Sequence, residues 1–365
     1  MKWSWRIGRV AGIEVFIHAT FLILVAFVGA SHLVIDQSLP AAVSGMIFLA
    51  ALFLCIFLHE LGHALAAGQF GIKTRDITLL PIGGLARLER MPEKPLQELW
   101  VALAGPLVNV VIAILLFGWL LATGTLVPIQ SLGVAEGSMI ERLMITNVFL
   151  VVFNLIPAFP MDGGRVLRAI LAAWMDYTQA TQIAAAIGQG IAFVFGFLGL
   201  MSNPFLVFIA LFVWIGAAQE ASMVQLKSSL SGIPVARAML TEFHILAPDD
   251  RLAYAVELTL QTTQQDFPVV QTGQVVGILT QNGLVAGLRH SGDQALVASA
   301  MNREFQTVDP GEMLEGAFQR LQECHCHTLP AVRQGQLVGL LTMKNLGEFL
   351  LFQSALKESP QQRIG

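Results

Sequence analysis

The sequence predicts a multi-pass α-helical membrane domain of about six spans, followed by a cytoplasmic α/β domain pair. Three observations predict it. Apolar residues make up 55% of the 365 and charged ones only 13%, a balance far from that of a water-soluble domain. The long apolar runs are confined to residues 1–226. The remainder mixes charges, glycines and short β-branched stretches, and repeats itself at an interval of 62 positions.

A hydrocarbon core about 30 Å thick calls for about 20 apolar residues at 1.5 Å each. Six stretches meet or approach that length, at 15–35, 43–67, 99–122, 143–160, 182–200 and 204–221. The last two form a tight hairpin turning at Ser202-Asn203-Pro204, because no charged residue occurs between Asp176 and Glu220. Basic loops stay on the cytoplasmic side. Lys2, Arg6 and Arg9 precede the first span, Lys73, Arg75, Arg87, Arg90 and Lys94 lie between the second and third, and Arg165 and Arg168 follow the fourth. The alternate loops, 36–42, 123–140 and 201–203, contain none, and only Arg142 goes against the pattern. Six spans place both termini in the cytoplasm. The formal charge of −4 is too mild for a nucleic-acid surface, so the lipid bilayer is the partner that composition implies.

The polar stretch 222–232 reads as a boundary, giving a membrane domain over 1–226 and repeated units over 233–290 and 295–355. Ala238-Met239, Pro268-Val269-Val270 and Gly277-Ile278-Leu279-Thr280 return as Ala300-Met301, Pro330-Ala331-Val332 and Gly339-Leu340-Leu341-Thr342. Each unit reads as a helix, near 251–261 and 313–323, then two strands joined at Thr272-Gly273 or Gln334-Gly335, then another helix.

Chemistry concentrates in His59-Glu60-Leu61-Gly62-His63, inside the second apolar stretch. On a helix, positions i and i+4 share a face, so both imidazoles reach one metal ion, with Glu60 beside the first as a proton acceptor. A charged or polar side chain in mid-membrane costs about 2.5–3.5 kcal/mol, so three in five residues require compensation, which a zinc ion supplies. A third ligand is sought in the other apolar stretches. Asp162 is the only acid in 154–164, where Pro157, Pro160 and Gly163-Gly164 let the backbone turn its carboxylate into the bundle. Residues 77–88 read as a strand-like or re-entrant stretch, whose edge suits an extended peptide. Cys324, His325, Cys326 and His327 crowd too closely for all four to face one ion.

With Asn154-Leu155-Ile156-Pro157-Ala158-Phe159-Pro160-Met161-Asp162-Gly163, the His59–His63 motif resembles the site-2 protease family of intramembrane zinc metalloproteases, over residues 10–222. Met161 stands where that family usually has leucine. The resemblance implies that His59, His63 and Asp162 bind one zinc ion and that Glu60 is the general base and acid. It further implies that water attacks a peptide bond in or beside a span of a membrane-anchored protein, in regulated intramembrane proteolysis at a prokaryotic inner or plasma membrane. Asn109, in Ala104-Gly105-Pro106-Leu107-Val108-Asn109, and Asn154 match family positions that hold the substrate, and the other reading of a buried asparagine, above all for Asn109, is a hydrogen-bonded bridge between helices. A transporter or channel using the buried His and Asp groups as an ion relay is the alternative.

The tail resembles a tandem pair of cystathionine-β-synthase-type (CBS) domains, over 233–352. Such pairs commonly bind adenine nucleotides through a Thr and an acid three positions on, here Thr280 with Gly283 and Thr342 with Asn345. Dimerisation or substrate docking is the other use implied for the tail, and regulation of the protease is what the pairing suggests.

Overall fold

A computed structural model describes residues 3–35, 37–81, 83–92, 94–125, 137–324 and 328–358. His325, Cys326 and His327, from the cysteine–histidine cluster, lie outside them. The chain divides into two compact units, Met1–Val224 and Gln225–Gly365.

The first unit opens with a hairpin rather than a helix. Strand β1 (Ser4–Val10) pairs antiparallel with β2 (Ile13–His18) across Ala11-Gly12, both at positive φ. Residues 15–18, expected to begin the first span, are therefore strand. Their apolar side chains sit on a sheet, because β2 pairs in parallel with β3 (Thr74–Leu80), with Val15 opposite Ile77 and Phe16 opposite Thr78. Strand β4 (Gly83–Leu88) then returns antiparallel to β3 and closes the order β1-β2-β3-β4. The strand-like reading of residues 77–88 holds.

Between β2 and β3 run α1 (Ala19–Ile35) and α2 (Leu39–Gln69), which pack on each other. Ser38 caps α2, its hydroxyl accepting from the Ala41 N–H, and Pro40 sits in the first turn, where its missing donor is not needed. After β4 come α3 (Pro95–Ala122), α4 (Met139–Asn154), α5 (Asp162–Leu171), α6 (Tyr177–Met201) and α7 (Pro204–Leu230). Ser138 and Glu141 form a reciprocal capping box at the start of α4. That helix stops at Asn154 because Pro157 disfavours helical backbone just before it. The apolar residues 155–160, expected to complete the fourth span, thus form a turn.

Helices α2, α3, α6 and α7 are long and apolar enough to cross a membrane. The 17 residues of α1 and 16 of α4 reach only about 26 and 24 Å. Outward faces carry exposed Phe27, Ile114, Phe193, Leu200 and Phe208, apolar surface that suits hydrocarbon better than water. The expected hairpin at 202–203 joins α6 to α7. The polar stretch 222–232 is not a loop throughout, since α7 runs on to Leu230.

The second unit holds α8 (Leu252–Gln261), β5 (Phe267–Gln271), β6 (Gln274–Leu279) and α9 (Gln281–Ser291), then α10 (Leu314–Glu323), β7 (Thr328–Arg333), β8 (Gln336–Thr342) and α11 (Met343–Glu358). Each strand pair turns through two positive-φ residues, Thr272-Gly273 and Gln334-Gly335. The repeats also exchange segments. Leu240 bridges to Leu340, and the residues 62 positions away do the reverse, Asn302 to Ile278. Reciprocal pairing makes the two repeats one folding unit, with cores around Phe267 and Leu279 and around Leu329 and Leu341. It has the two-unit form of a CBS pair.

Candidate metal centre

Helix α2 turns a stripe at i, i+4 spacing inward, Cys55, His59, His63 and Ala67, all buried. Facing it, α3 buries Glu98, Val101, Ala102, Gly105 and Asn109. The third contributor is α5, whose first residue is Asp162. These elements bring His59 Nε2, His63 Nε2 and Asp162 Oδ2 together, the histidine nitrogens 3.1 Å apart and 3.2 and 3.1 Å from the carboxylate oxygen. All three side chains are buried, and their ligand atoms form the one such group among the described residues.

The remaining contacts test whether a cation fits. His63 Nδ1 lies 2.7 Å from the Val101 carbonyl and His59 Nδ1 lies 2.5 Å from Asn109 Oδ1. Both partners are acceptors, so each neutral ring carries its proton on Nδ1 and turns an unprotonated Nε2 toward the other and toward Asp162. Three lone pairs converging in a buried space repel unless positive charge sits among them, so this donor set fits a metal ion. Two imidazoles and one carboxylate are a common zinc set.

Room for the imidazoles comes from a residue that sequence reasoning passed over. A Cβ on Gly105 would stand 2.2 Å from His63 Nε2 and 2.7 Å from His59 Nε2, so only glycine lets α3 come this close. The missed signal is a small residue on the inner face of a helix that must approach another.

Glu60 is not one of the three converging groups. Its Oε2 accepts from the Ala86 N–H of β4 at 3.2 Å, and a Cβ on Gly84 would stand 2.5 Å from Glu60 Cγ. The acid beside the ligand pair is thereby pinned against the sheet's edge strand. Arg165 Nη1 is 3.7 Å from Asp162 Oδ1. Further along α5, Arg168 is 1% exposed, its guanidinium donating to Glu98 of α3 at 2.7 Å and to Glu220 of α7 at 2.6 Å. The helix carrying Asp162 is thus tied to two others by the two ion pairs of one buried guanidinium.

Asn109, expected at the substrate, has its buried amide engaged at both ends, by His59 and by Asn147 of α4. It stands behind His59. Asn154 ends α4, partly buried, and its side chain makes no hydrogen bond among the described residues. In the second unit, Thr280 caps α9 by accepting from the Gly283 N–H at 3.1 Å, and Thr342 accepts from the Asn345 N–H at 3.1 Å while donating to Asn345 Oδ1 at 2.5 Å. Thr342 lines a cavity of about 880 Å³ with Lys344, Asn345 and Glu348, whereas Thr280 borders one of about 290 Å³ with Asp266 and Glu304.

Comparison with known proteins gives two family matches. Residues 47–136 and 129–198 match peptidase family M50, and residues 235–290 and 297–351 match the CBS domain. Zinc metalloprotease MJ0392 of Methanocaldococcus jannaschii is 36% identical over 285 residues, covering 76% of this chain and 78% of that protein. CBS domain-containing protein YhcV of Bacillus subtilis is 28% identical over 110 residues, 30% of this chain and 79% of that one. A solved site-2 protease from M. jannaschii shares 38% identity with a TM-score of 0.44, over 60% of this chain and 95% of that chain.

Proposed function

Because this chain belongs to peptidase family M50 and is a membrane-embedded zinc metalloprotease of the site-2 type carrying tandem CBS domains, we propose that it hydrolyses a peptide bond in or near a transmembrane segment of a membrane-anchored protein. Peptide hydrolysis takes the place of the ion-relay alternative. The observation that carries the reading is the convergence of His59 Nε2, His63 Nε2 and Asp162 Oδ2 on one buried point.

His59, His63 and Asp162 would hold the zinc ion, whose charge, when bound, acidifies water and polarises the scissile carbonyl. Glu60 takes the proton from the attacking water and returns it to the leaving amine. The Ala86 N–H restrains one of its oxygens, which fixes the carboxylate's place and leaves the second oxygen to take the proton. A helical substrate hides its carbonyls in its own hydrogen bonds, so it must unwind before attack. Strand β4 lies at an edge of the sheet beside Glu60, where an extended segment could add by strand pairing, with Asn154 near the turn that carries Asp162.

Six spans with both termini in the cytoplasm of a prokaryotic cell are proposed for the first unit. The parallel pairing of β2 with β3 supports counting α1, since strands that flank a helical hairpin and pair must lie on one side of the membrane. For the tail we propose regulation of the protease, dimerisation, and an adenine nucleotide beside Thr342, whose cavity is the larger and carries Lys344, a cation that suits a phosphate; Thr280 borders the smaller one, lined by Asp266 and Glu304 without a basic residue among the described residues.

The test is metal analysis and cleavage of a single-span substrate by purified protein. Glu60→Gln should keep zinc and lose about 10²–10⁴-fold in rate. Asp162→Ala should lose both zinc and cleavage. Full turnover by Glu60→Gln would rule out proton transfer through Glu60.

A further inference from the structure

We propose that Asn147, on α4, is a positioning residue for the metal centre, fixing the protonation side of His59 through Asn109. This rests on the reading of His59 as a metal ligand.

The direction of every bond in the chain follows from one backbone atom. The Leu143 carbonyl can only accept, so the end of the Asn147 amide facing it at 2.8 Å is the NH2 group. That leaves Asn147 Oδ1 facing Asn109 at 2.8 Å, and Asn109 must answer with its own NH2 group. Asn109 Oδ1 is then the atom turned to His59 Nδ1, 2.5 Å away, and an amide oxygen only accepts. The proton of the ring therefore stays on Nδ1, and Nε2 keeps the lone pair a metal needs. A flip of either amide would present an NH2 group to Nδ1, drive the proton to Nε2 and close the ligand atom.

The other histidine needs no such relay. His63 Nδ1 faces the Val101 carbonyl directly, an acceptor that cannot turn round. His59 faces a side-chain amide, which can, so its orientation has to be held from behind. Asn109 and Asn147 are both fully buried, so water cannot replace a lost partner. A second contact, from Asn147 Nδ2 to Cys55 Sγ at 3.4 Å, is compatible with the same orientation, sulfur being a weak acceptor. Asparagine inside an apolar helix is costly, and here its donor and acceptor ends are both used.

The experiment measures zinc affinity of the full chain in detergent by competition with a chelator, for wild type, Asn147→Leu, Asn147→Ala, Asn147→Asp and His59→Ala. Apo unfolding temperatures are recorded alongside. Asn147→Leu and Asn147→Ala should weaken zinc binding about 10- to 100-fold, the range for losing a partner behind a ligating histidine. Asn147→Asp should stay within about threefold of wild type, since a buried carboxyl in its protonated form donates its O–H to the Leu143 carbonyl while the other oxygen still accepts from Asn109 and keeps its amide the right way round. A residue that merely packs gives the reverse order, with leucine tolerated and buried aspartate damaging. Wild-type affinity in Asn147→Leu or Asn147→Ala, or equal losses in Asn147→Asp and the apolar variants, overturns the relay. Zinc retained by His59→Ala overturns the metal-centre reading and the relay with it, whereas loss there beside retention in Asn147→Leu overturns the relay alone.

Discussion

The two units use buried polarity in different ways. Among the described residues, Met1–Val224 buries His59, His63, Asp76, Thr78, Glu98, Asn109, Glu141, Asn147, Asp162, Arg168 and Thr181, while Gln225–Gly365 buries only Asp266 and Thr328. Hydrocarbon around a bundle makes each polar group dearer than in a water-soluble core, yet the membrane-embedded unit has far more of them. Seven of them, His59, His63, Asp162, Asn109, Asn147, Glu98 and Arg168, are linked in chains that end at the three converging groups or tie their helices together, while Asp76 and Thr78 bond within the sheet, Glu141 caps α4 and Thr181 bonds its own helix. The pair in the second unit is one hydrogen bond between equivalent positions of the repeats, Thr328 Oγ1 to Asp266 Oδ2 at 2.8 Å. Polarity converges on the candidate metal centre in one unit and registers two repeats in the other.

That contrast can be sharpened by removing groups in turn. Arg168→Met leaves Glu98, which is fully buried, without its cation, and should destabilise the protein by about 3–5 kcal/mol, read as a lowered thermal midpoint in detergent. Gly105→Ala should leave the bundle folded but weaken zinc binding about tenfold or more, because the methyl group takes the space of two imidazoles. The smallest effect belongs to the second unit. Thr328→Val should cost about 1 kcal/mol of stability with zinc content and cleavage unchanged, since one hydrogen bond is lost outside the unit that holds the ligands. A change in zinc content in that variant would break the contrast, giving the lone pair of the tail a part in the reaction.

Much of this was legible in the residue order. The four-residue spacing of His59 and His63 in an apolar helix needs no structure to be read as a ligand pair, and a lone acid between helix breakers pointed to Asp162. The turns Thr272-Gly273 and Gln334-Gly335 predicted which strands pair, because hairpin turns are local. What local reading missed depends on partners distant in sequence. Residues 15–18 are apolar enough to begin a span, and only β3, some sixty residues on, makes them a strand. Arg168 resembles an ordinary basic loop residue until Glu98 and Glu220 close around it. Asn147 has nothing beside it in sequence to mark it, since its meaning lies in which end of Asn109 it faces. Thr280 and Thr342 match ligand positions by motif, and both also cap the turn of helix that follows.

The pairing of β2 with β3 also orders events during synthesis. The opening hairpin leaves the ribosome first, but its neighbour ends 62 residues later at Leu80, after α1 and α2. At 5–20 residues per second the nascent hairpin waits roughly 3–12 s with an unmatched flank. Anything that delays translocation of the intervening helices lengthens that interval, so slow membrane entry should be felt first as misassembly of the β1–β2 hairpin.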